Sequence, residues 1–305
     1  MDDGNDRLKP GPLVSIRGLH HYTISVADLD ESVAWYAATL GFQAPASRHD
    51  HPWGPAGYLA GPGCLLEMLE VPDGRAVPPY ARGPEPDTDL TVCGHKHMAL
   101  LLGGTLDSAL VELHGLNASV VDVKKVSLEG IGEFKAAFIA DNSGGLIELP
   151  ENGGSPHPSA APPATGPDGR PRPLVVQGLH HVALAVPDRE QAIEWYSRVL
   201  GLTVATTFEV PAIGLRTAMM QGPGFWIELH SMAGALPVPV ERRDPRTDLL
   251  TLGNKYFALL VDQLDGVPEV LRKNGVSIGA EISAGGERRL FVSDMAGNPV
   301  ELVGS

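Results

Sequence analysis

The chain has 305 residues, of which 43% are hydrophobic and 20% are charged. It can therefore bury a sizeable core, and its length predicts two domains of about 150 residues. Its formal net charge is −14 at pH 7. Because an acidic surface repels phosphates, we exclude nucleic acids and anionic membranes as partners and expect small-molecule ligands.

Targeting and cysteine content indicate a cytoplasmic protein. No basic and apolar N-terminal segment resembles a signal peptide, and no run of 18 apolar residues could span a bilayer. Cys64 and Cys93 are too few for a disulfide framework. Residues 1–13 are polar and contain Pro and Gly, so we predict a disordered tail.

The first predicted elements are a strand and a helix. Apolar and polar residues alternate over Leu19–Val26, as in a half-buried strand. Apolar residues then recur at helical spacing over Asp30–Leu40, and Gly41 is a typical C-cap. A strand–helix pair therefore opens the chain.

The same order of elements follows twice in the first half. Short β-rich runs end in a strand over Cys64–Leu69. A new strand opens at Lys96–Leu101, a helix follows over Leu106–His114, and strands are predicted over Lys135–Ile139 and Leu146–Leu149. The order β-α-β-β-β thus occurs twice.

A duplication relates the two halves. The segment GLHHYTISVADLDESVAWYAATLGF from Gly18 recurs from Gly178 as GLHHVALAVPDREQAIEWYSRVLGL, with ten of 25 positions identical at an offset of 160. The ends match too, as DNSGGLIEL from Asp141 and DMAGNPVEL from Asp294. Residues 152–173 between the halves are rich in Pro, Gly, Ala and Ser and form a predicted linker.

These repeats predict an α+β fold. We expect four βαβββ modules, paired into two tandem domains over residues 14–151 and 174–305, with curled mixed sheets around a cleft. The N-terminal domain is predicted to hold the metal site described next.

Four ionisable residues interrupt apolar strands of the first half: His21, Glu67, His97 and Glu148. A carboxylate buried without a partner costs several kcal/mol, so each must be hydrogen-bonded, paired or bound to metal. Two imidazoles and two carboxylates suit one divalent ion, Zn, Fe(II), Mn, Ni or Co. His95 shares a strand face with His97 by parity, and we weigh a substrate contact evenly against a solvated strand start.

With these residues in hand, the chain resembles the vicinal oxygen chelate superfamily, which includes glyoxalase I, epimerases, bleomycin-resistance proteins and extradiol dioxygenases. The motif runs from Leu19 to Gly41 and again from Leu179 to Gly201. The resemblance implies that metal ligands come from the first and last strands of each module. It selects the same four ligands.

The second half departs from the pattern. Its equivalent residues are His181, Glu228, Tyr256 and Glu301, with a phenol in place of the His97 imidazole. A neutral phenol is a poor metal ligand, so we expect this second set to bind metal weakly or not at all. One alternative stays open: if the second and third modules pair, His97, Glu148, His181 and Glu228 also form a complete set.

The resemblance favours a metal-dependent isomerase or epimerase. In such enzymes the metal stabilises an enediolate beside a carbonyl, and Glu67 or Glu148 would move the proton. The expected substrate is a small polyoxygenated molecule such as a cyclitol or sugar ketone. The alternatives are an Fe(II)-dependent ring-cleaving dioxygenase and a natural-product binding protein without catalysis. The sequence is also compatible with a homodimer.

Overall fold

Four βαβββ modules make up the chain in a computed structural model that describes residues 11–74, 90–128, 132–151, 175–284 and 287–304. Module 1 contains β1 (Ile16–Val26), α1 (Leu29–Leu40), β2 (Gln43–His51), β3 (Gly54–Gly61) and β4 (Cys64–Glu70). Module 2 contains β5 (Gly94–Leu102), α2 (Leu106–Gly115), β6 (Ser119–Leu128), β7 (Gly132–Ala140) and β8 (Leu146–Pro150).

The second half repeats this order. Module 3 contains β9 (Val176–Val186), α3 (Arg189–Leu200), β10 (Thr203–Val210), β11 (Leu215–Gly222) and β12 (Phe225–Met232). A short helix, α4 (Pro245–Asp248), precedes module 4. Module 4 contains β13 (Gly253–Val261), α5 (Val267–Lys273), β14 (Ser277–Ala284), β15 (Glu287–Ser293) and β16 (Pro299–Gly304).

The strands form two mixed sheets of eight strands each. Modules 1 and 4 share the first sheet, in the order β14-β15-β16-β13-β1-β4-β3-β2. Modules 2 and 3 share the second, in the order β10-β11-β12-β9-β5-β8-β7-β6. In each sheet the first strands of the two modules pair antiparallel, β1 with β13 and β5 with β9. The centre of each sheet thus contains the first and last strands of two modules.

The α+β prediction of four modules in two curled mixed sheets is confirmed, but the expected pairing within each half is wrong. Each sheet takes one module from residues 14–151 and one from residues 174–305, because β1 pairs with β13 rather than with β5. The predicted linker, 152–173, and residues 1–10 of the predicted tail lie outside the described residues. At the end of that tail, the Leu13 amide donates to the Arg198 carbonyl at 3.1 Å.

Capping residues lie at both ends of α1 and α3, and the predicted C-cap at Gly41 is confirmed. The side chains of Asp28 and Asp188 accept hydrogen bonds from the amides of the first turns of α1 and α3, both at 2.8 Å. Gly41 and Gly201 end these helices with φ of 73° and 70°, a left-handed conformation that favours glycine. None of the described helices is long and apolar enough to cross a membrane.

Buried polar contacts join the two sheets. The Asn254 amide on β13 donates to the Lys96 carbonyl at 2.6 Å and to the Leu146 carbonyl at 3.0 Å. In the opposite direction, His95 Nε2 on β5 donates to the Pro299 carbonyl at 2.8 Å. Because buried backbone oxygens need partners, these contacts fix how the sheets meet.

Removing one hydroxyl at this junction is expected to lower the free energy of unfolding. The buried Tyr36 hydroxyl on α1 donates to Asp141 Oδ2 at 2.8 Å, and Tyr196 makes the equivalent contact to Asp294 at 3.2 Å. We expect Tyr36→Phe to cost about 1–3 kcal/mol in urea unfolding, because a buried carboxylate loses a donor. Tyr196→Phe is the matched variant and should behave alike. Unchanged unfolding midpoints for both would contradict this role.

Candidate metal centre

Four buried side chains of modules 2 and 3 converge on one face of the second sheet. We call this the 2–3 cleft, and its members are His97 on β5, Glu148 on β8, His181 on β9 and Glu228 on β12. One ligand atom from each lies within 4.8 Å of the others. This convergence follows from the strand register. One row of paired residues contains Glu228, Ala183 and His97, and a second row contains His181, Ala99 and Glu148.

The contacts in the 2–3 cleft are short. His97 Nε2 lies 2.8 Å from Glu148 Oε2, and His181 Nε2 lies 2.9 Å from Glu228 Oε2. His181 Nε2 is also 3.3 Å from Glu148 Oε2, whereas His97 Nε2 is 4.0 Å from Glu228 Oε2. Each carboxylate therefore faces both imidazoles.

The electrostatics of the 2–3 cleft favour a cation. Burial opposes ionisation of Glu148, but the neighbouring His181 and His97 lower its pKa to about 2. Burial likewise opposes ionisation of Glu228, and the charges of His230 and His181 hold its pKa well below the usual range. For His181, burial is outweighed by Glu228 and Glu148, which raise the pKa to about 10. Two ionised carboxylates thus share this cleft, and a divalent ion would displace the imidazole proton.

The direction of the imidazole nitrogens fits a shared ion. His97 Nε2 and His181 Nε2 are buried, and neither makes a hydrogen bond of acceptable geometry with any described residue. Carboxylate oxygens nevertheless lie less than 3 Å from both. This combination is expected where four groups point at a common centre rather than at one another. The donor set suits a divalent first-row ion.

Two further histidines support these ligands. His180 Nδ1 lies 2.7 Å from His181 Nδ1, which orients the ring that faces the cleft. His230 lies on β12 two residues beyond Glu228, with Nε2 3.1 Å from Glu228 Oε2 and Nδ1 3.1 Å from Thr217 Oγ1. The sequence prediction missed His230, although its spacing from Glu228 places both on one strand face.

The structure does not bring the predicted set of four together. His97 and Glu148 lie in the 2–3 cleft, whereas His21 and Glu67 lie in a separate cleft formed by modules 1 and 4. In this 1–4 cleft, His21 Nε2 is 3.1 Å from Glu67 Oε2 and 3.2 Å from Glu301 Oε2. The prediction of a metal site within the N-terminal half is therefore wrong, because β1 pairs with β13 and not with β5.

The open alternative from the sequence describes the observed arrangement. His181 and Glu228, expected in the weaker second set, complete the 2–3 cleft. Tyr256 and Glu301, the rest of that set, lie in the 1–4 cleft, where Tyr256 pairs with Thr23 in the β1/β13 register. Tyr256, the residue that departs from the ligand pattern, therefore lies in the same cleft as His21 and Glu67.

The 1–4 cleft contains a cation of its own. Arg289 on β15 is buried, and its Nη1 lies 3.2 Å from Glu67 Oε1 and 3.2 Å from Glu301 Oε1. Its Nη2 donates to the Tyr58 hydroxyl at 2.6 Å. The sequence prediction missed Arg289, although an arginine two residues before Phe291 in an apolar strand is a visible signal.

His95 lies at the junction of the sheets, not among the ligands. A register shift between His95 and His97 in the β5/β9 pairing breaks the strict alternation on which the parity argument depends. The ring of His95 packs against Phe257 at 5.5 Å, and its Nε2 donates to the Pro299 carbonyl. We therefore no longer expect His95 to contact a substrate.

Comparisons with known proteins agree with the fold. The model of the Glyoxalase/Bleomycin resistance protein/Dioxygenase superfamily matches residues 18–149 and 178–302. Crystal structures of glyoxalase I from Zea mays and of a variant of it superpose with TM-scores of 0.64 and 0.66. Each covers 94% of this chain and 92% of its own, at 18% identity.

A curated relative matches in sequence over a shorter stretch. The 2-epi-5-epi-valiolone epimerase of Actinomyces sp is 33% identical over 110 residues. The match covers 31% of this chain and 57% of that protein's length.

Proposed function

Because the chain belongs to the Glyoxalase/Bleomycin resistance protein/Dioxygenase superfamily, we propose that it is a divalent-metal-dependent epimerase or isomerase whose reaction site is the 2–3 cleft. The observation that carries this proposal is the convergence of two imidazoles and two ionised carboxylates within 4.8 Å. The epimerase relative supports the reaction class, and the resemblance of the fold supports the superfamily.

The metal would be held by His97, Glu148, His181 and Glu228. When bound, it would supply Lewis-acid stabilisation of the negative charge that develops on a substrate carbonyl oxygen. The chain itself would orient the ligand imidazole of His181 through His180 and exclude water from the buried floor of the cleft.

We assign the proton transfer to Glu228 rather than Glu148. The Glu228 side chain is 10% exposed against 3% for Glu148, so Glu228 is the more accessible of the two carboxylates to a substrate. His230, 3.1 Å away, can share a proton with it. The carbon–hydrogen bond beside the carbonyl would break and its proton would move to the Glu228 carboxylate, while a proton from water would add to the opposite face of the same carbon. Glu228 would then release its proton to water, so that the carbon is inverted without net oxidation.

The proposed substrate class is a polyhydroxylated cyclic ketone. The name of the relative identifies 2-epi-5-epi-valiolone as the compound to test first. This class agrees with the predicted cyclitol or sugar ketone, whose vicinal oxygens suit chelation to a metal.

Deuterium exchange tests the proposal. The metal-loaded protein is expected to exchange the α-proton of 2-epi-5-epi-valiolone in D₂O, followed by NMR, and Glu228→Gln should slow exchange about 10²- to 10⁴-fold because the proton acceptor is lost. Glu67→Gln, the counterpart in the 1–4 cleft, should retain exchange. Absence of metal-dependent exchange with this compound and with other α-hydroxy ketones would count against the reaction.

The ligand set also bears on the two alternative functions, an Fe(II)-dependent ring-cleaving dioxygenase and a binding protein without catalysis. Non-haem Fe(II) oxygenases use two histidines and one carboxylate with open positions for oxygen, whereas the 2–3 cleft offers a second carboxylate. A binding protein without metal would leave the two buried carboxylates with the protonated His181 imidazole in place of a divalent ion, and so with less positive charge, at a cost in stability. Oxygen consumption with a catechol would favour the dioxygenase, and tight ligand binding by metal-free protein would favour the binder.

A further inference from the structure

We propose that Arg289 replaces the metal ion as the cation of the 1–4 cleft, so that of the two clefts formed by the described residues the 2–3 cleft holds a divalent ion and the 1–4 cleft does not. This inference concerns metal content and does not depend on the proposed reaction. It starts from a disagreement. His21, Glu67 and Glu301 offer three ligand atoms within 4.8 Å of one another, and His21 Nε2, like His97 Nε2 and His181 Nε2, is buried without a hydrogen bond to a described residue, so these two observations would admit an ion in the 1–4 cleft as well.

The first line of support is the position of the guanidinium. Arg289 is 5% exposed, and its Nη1 is shared between Glu67 and Glu301 at 3.2 Å each, so it contacts both carboxylates that a metal would need. The Tyr58 hydroxyl anchors its Nη2 at 2.6 Å. A guanidinium stays charged at any physiological pH, and the carboxylates of Glu301 and Glu67 raise the pKa of Arg289 further, against the effect of burial.

The second line of support is that the 2–3 cleft has no equivalent of the Arg289 guanidinium or of the Tyr58 hydroxyl that anchors it. In the 1–4 cleft, Glu301 pairs with Phe291, and Arg289 lies two residues before Phe291. In the 2–3 cleft, Glu148 pairs with Phe138, and Ala136 lies two residues before Phe138. Ala136 therefore occupies the place of Arg289. The anchor differs too, since Tyr58 pairs with Glu67 whereas Met219 pairs with Glu228. The 1–4 cleft thus has an arginine and a tyrosine at these two positions, and the 2–3 cleft has the apolar residues Ala136 and Met219.

The third line of support is the missing imidazole. Tyr256 stands in the 1–4 cleft where His97 stands in the 2–3 cleft, each opposite the equivalent residue of the neighbouring first strand. Burial, followed by the charges of Glu301 and Glu67, holds the pKa of Tyr256 well above its usual value. A neutral phenol is a poor ligand for a divalent ion, so this cleft has lost the donor that His97 supplies in the other cleft. Its second imidazole, His49, lies on β2 with Nε2 3.2 Å from Glu67 Oε1, outside the group of ligand atoms that lie within 4.8 Å of one another.

Charge balance then separates the clefts. Two carboxylates need two positive charges. In the 2–3 cleft a divalent ion would supply both, with the two imidazoles bound to it in their neutral form. In the 1–4 cleft, Arg289 supplies one. His21 Nε2 faces the same two carboxylates, 3.1 Å from Glu67 Oε2 and 3.2 Å from Glu301 Oε2. A divalent ion in this cleft would have to remain beside a buried guanidinium that repels it.

Metal stoichiometry tests the inference. The full chain, stripped with a chelator, is dialysed to equilibrium against Co²⁺, and bound cobalt per chain is measured by atomic emission. We expect one equivalent for the unmodified protein and for Arg288→Ala, which removes a neighbouring exposed arginine. The double variant Arg289→Ala/Tyr256→His, which copies the 2–3 cleft, should bind two equivalents, a twofold increase.

Two results would overturn the inference. One is a second equivalent in the unmodified protein that Glu301→Gln abolishes, and this measurement needs no variant of Arg289 to fold. The other is a double variant with unchanged circular dichroism that still binds one equivalent. If the unmodified protein bound none and the double variant bound one, the replacement of the metal ion by Arg289 in the 1–4 cleft would stand, whereas the ion in the 2–3 cleft, and with it the metal dependence of the proposed reaction, would be overturned.

Discussion

His181→Ala is expected to abolish metal binding in the 2–3 cleft and to lower the proposed epimerase activity on the order of 100-fold or more. His181 contacts both carboxylates of the 2–3 cleft, Glu228 at 2.9 Å and Glu148 at 3.3 Å, so its loss removes a ligand that faces the whole set. Metal-ion catalysis contributes several kcal/mol, and each 1.36 kcal/mol corresponds to a factor of ten in rate. Metal content and the initial rate of α-proton exchange measure the two effects.

The chain supplies its own control for this experiment. His21 stands in the same sequence context, Gly-Leu-His-His, and makes the same two carboxylate contacts, but in the 1–4 cleft. His21→Ala should therefore retain the metal ion and most of the activity. The opposite result, with metal lost from His21→Ala and kept by His181→Ala, would move the reaction site to the 1–4 cleft.

Arg289→Ala is expected to lower the free energy of unfolding by about 3–5 kcal/mol. Glu67 and Glu301 are fully buried, and removal of the guanidinium takes away the permanent positive charge that both carboxylates share. Breaking a buried ion pair by deleting one partner costs about this much, because the remaining charge stays in a medium of low polarity. Urea unfolding of chelator-treated protein gives the value without a contribution from bound metal.

The neighbouring arginine provides the matched control. The Arg288 side chain is 39% exposed and pairs with Asp265 on the surface, so Arg288→Ala should change the free energy of unfolding by no more than about 0.5 kcal/mol. Replacing Glu67 and Glu301 by Gln in the Arg289→Ala background should recover part of the loss. An Arg289→Ala protein within about 1 kcal/mol of the unmodified chain would argue against a buried cation that balances these carboxylates.

The modules and the types of ligand could be predicted from the sequence because they depend on local patterns. Alternation in strands such as Leu19–Val26, helical spacing before Gly41, and the duplication at an offset of 160 identify four βαβββ units. The same alternation singled out His97 and Glu148 as ionisable groups in apolar strands. The argument failed at His95, where a register shift interrupts the alternation.

The pairing of modules could not be predicted in this way. β1 and β9 share the Gly-Leu-His-His motif, and β5 and β13 both continue from a glycine into a buried apolar run. Each first strand thus had more than one suitable partner. Residues 152–173 between the halves gave no reason to expect pairing across them, and loop closure over long distances costs little additional entropy.

The sequence by itself determined the repeated module, the strand faces and the presence of two sets of histidines and carboxylates, because these follow from side-chain alternation within single strands. Only the tertiary structure decided that His97 and Glu148 share a cleft with His181 and Glu228, and that Arg289 crosses to Glu67, 222 residues away in the chain. Strand pairing is a contact between distant segments whose local patterns are nearly the same, so the packing of the whole molecule selects among them.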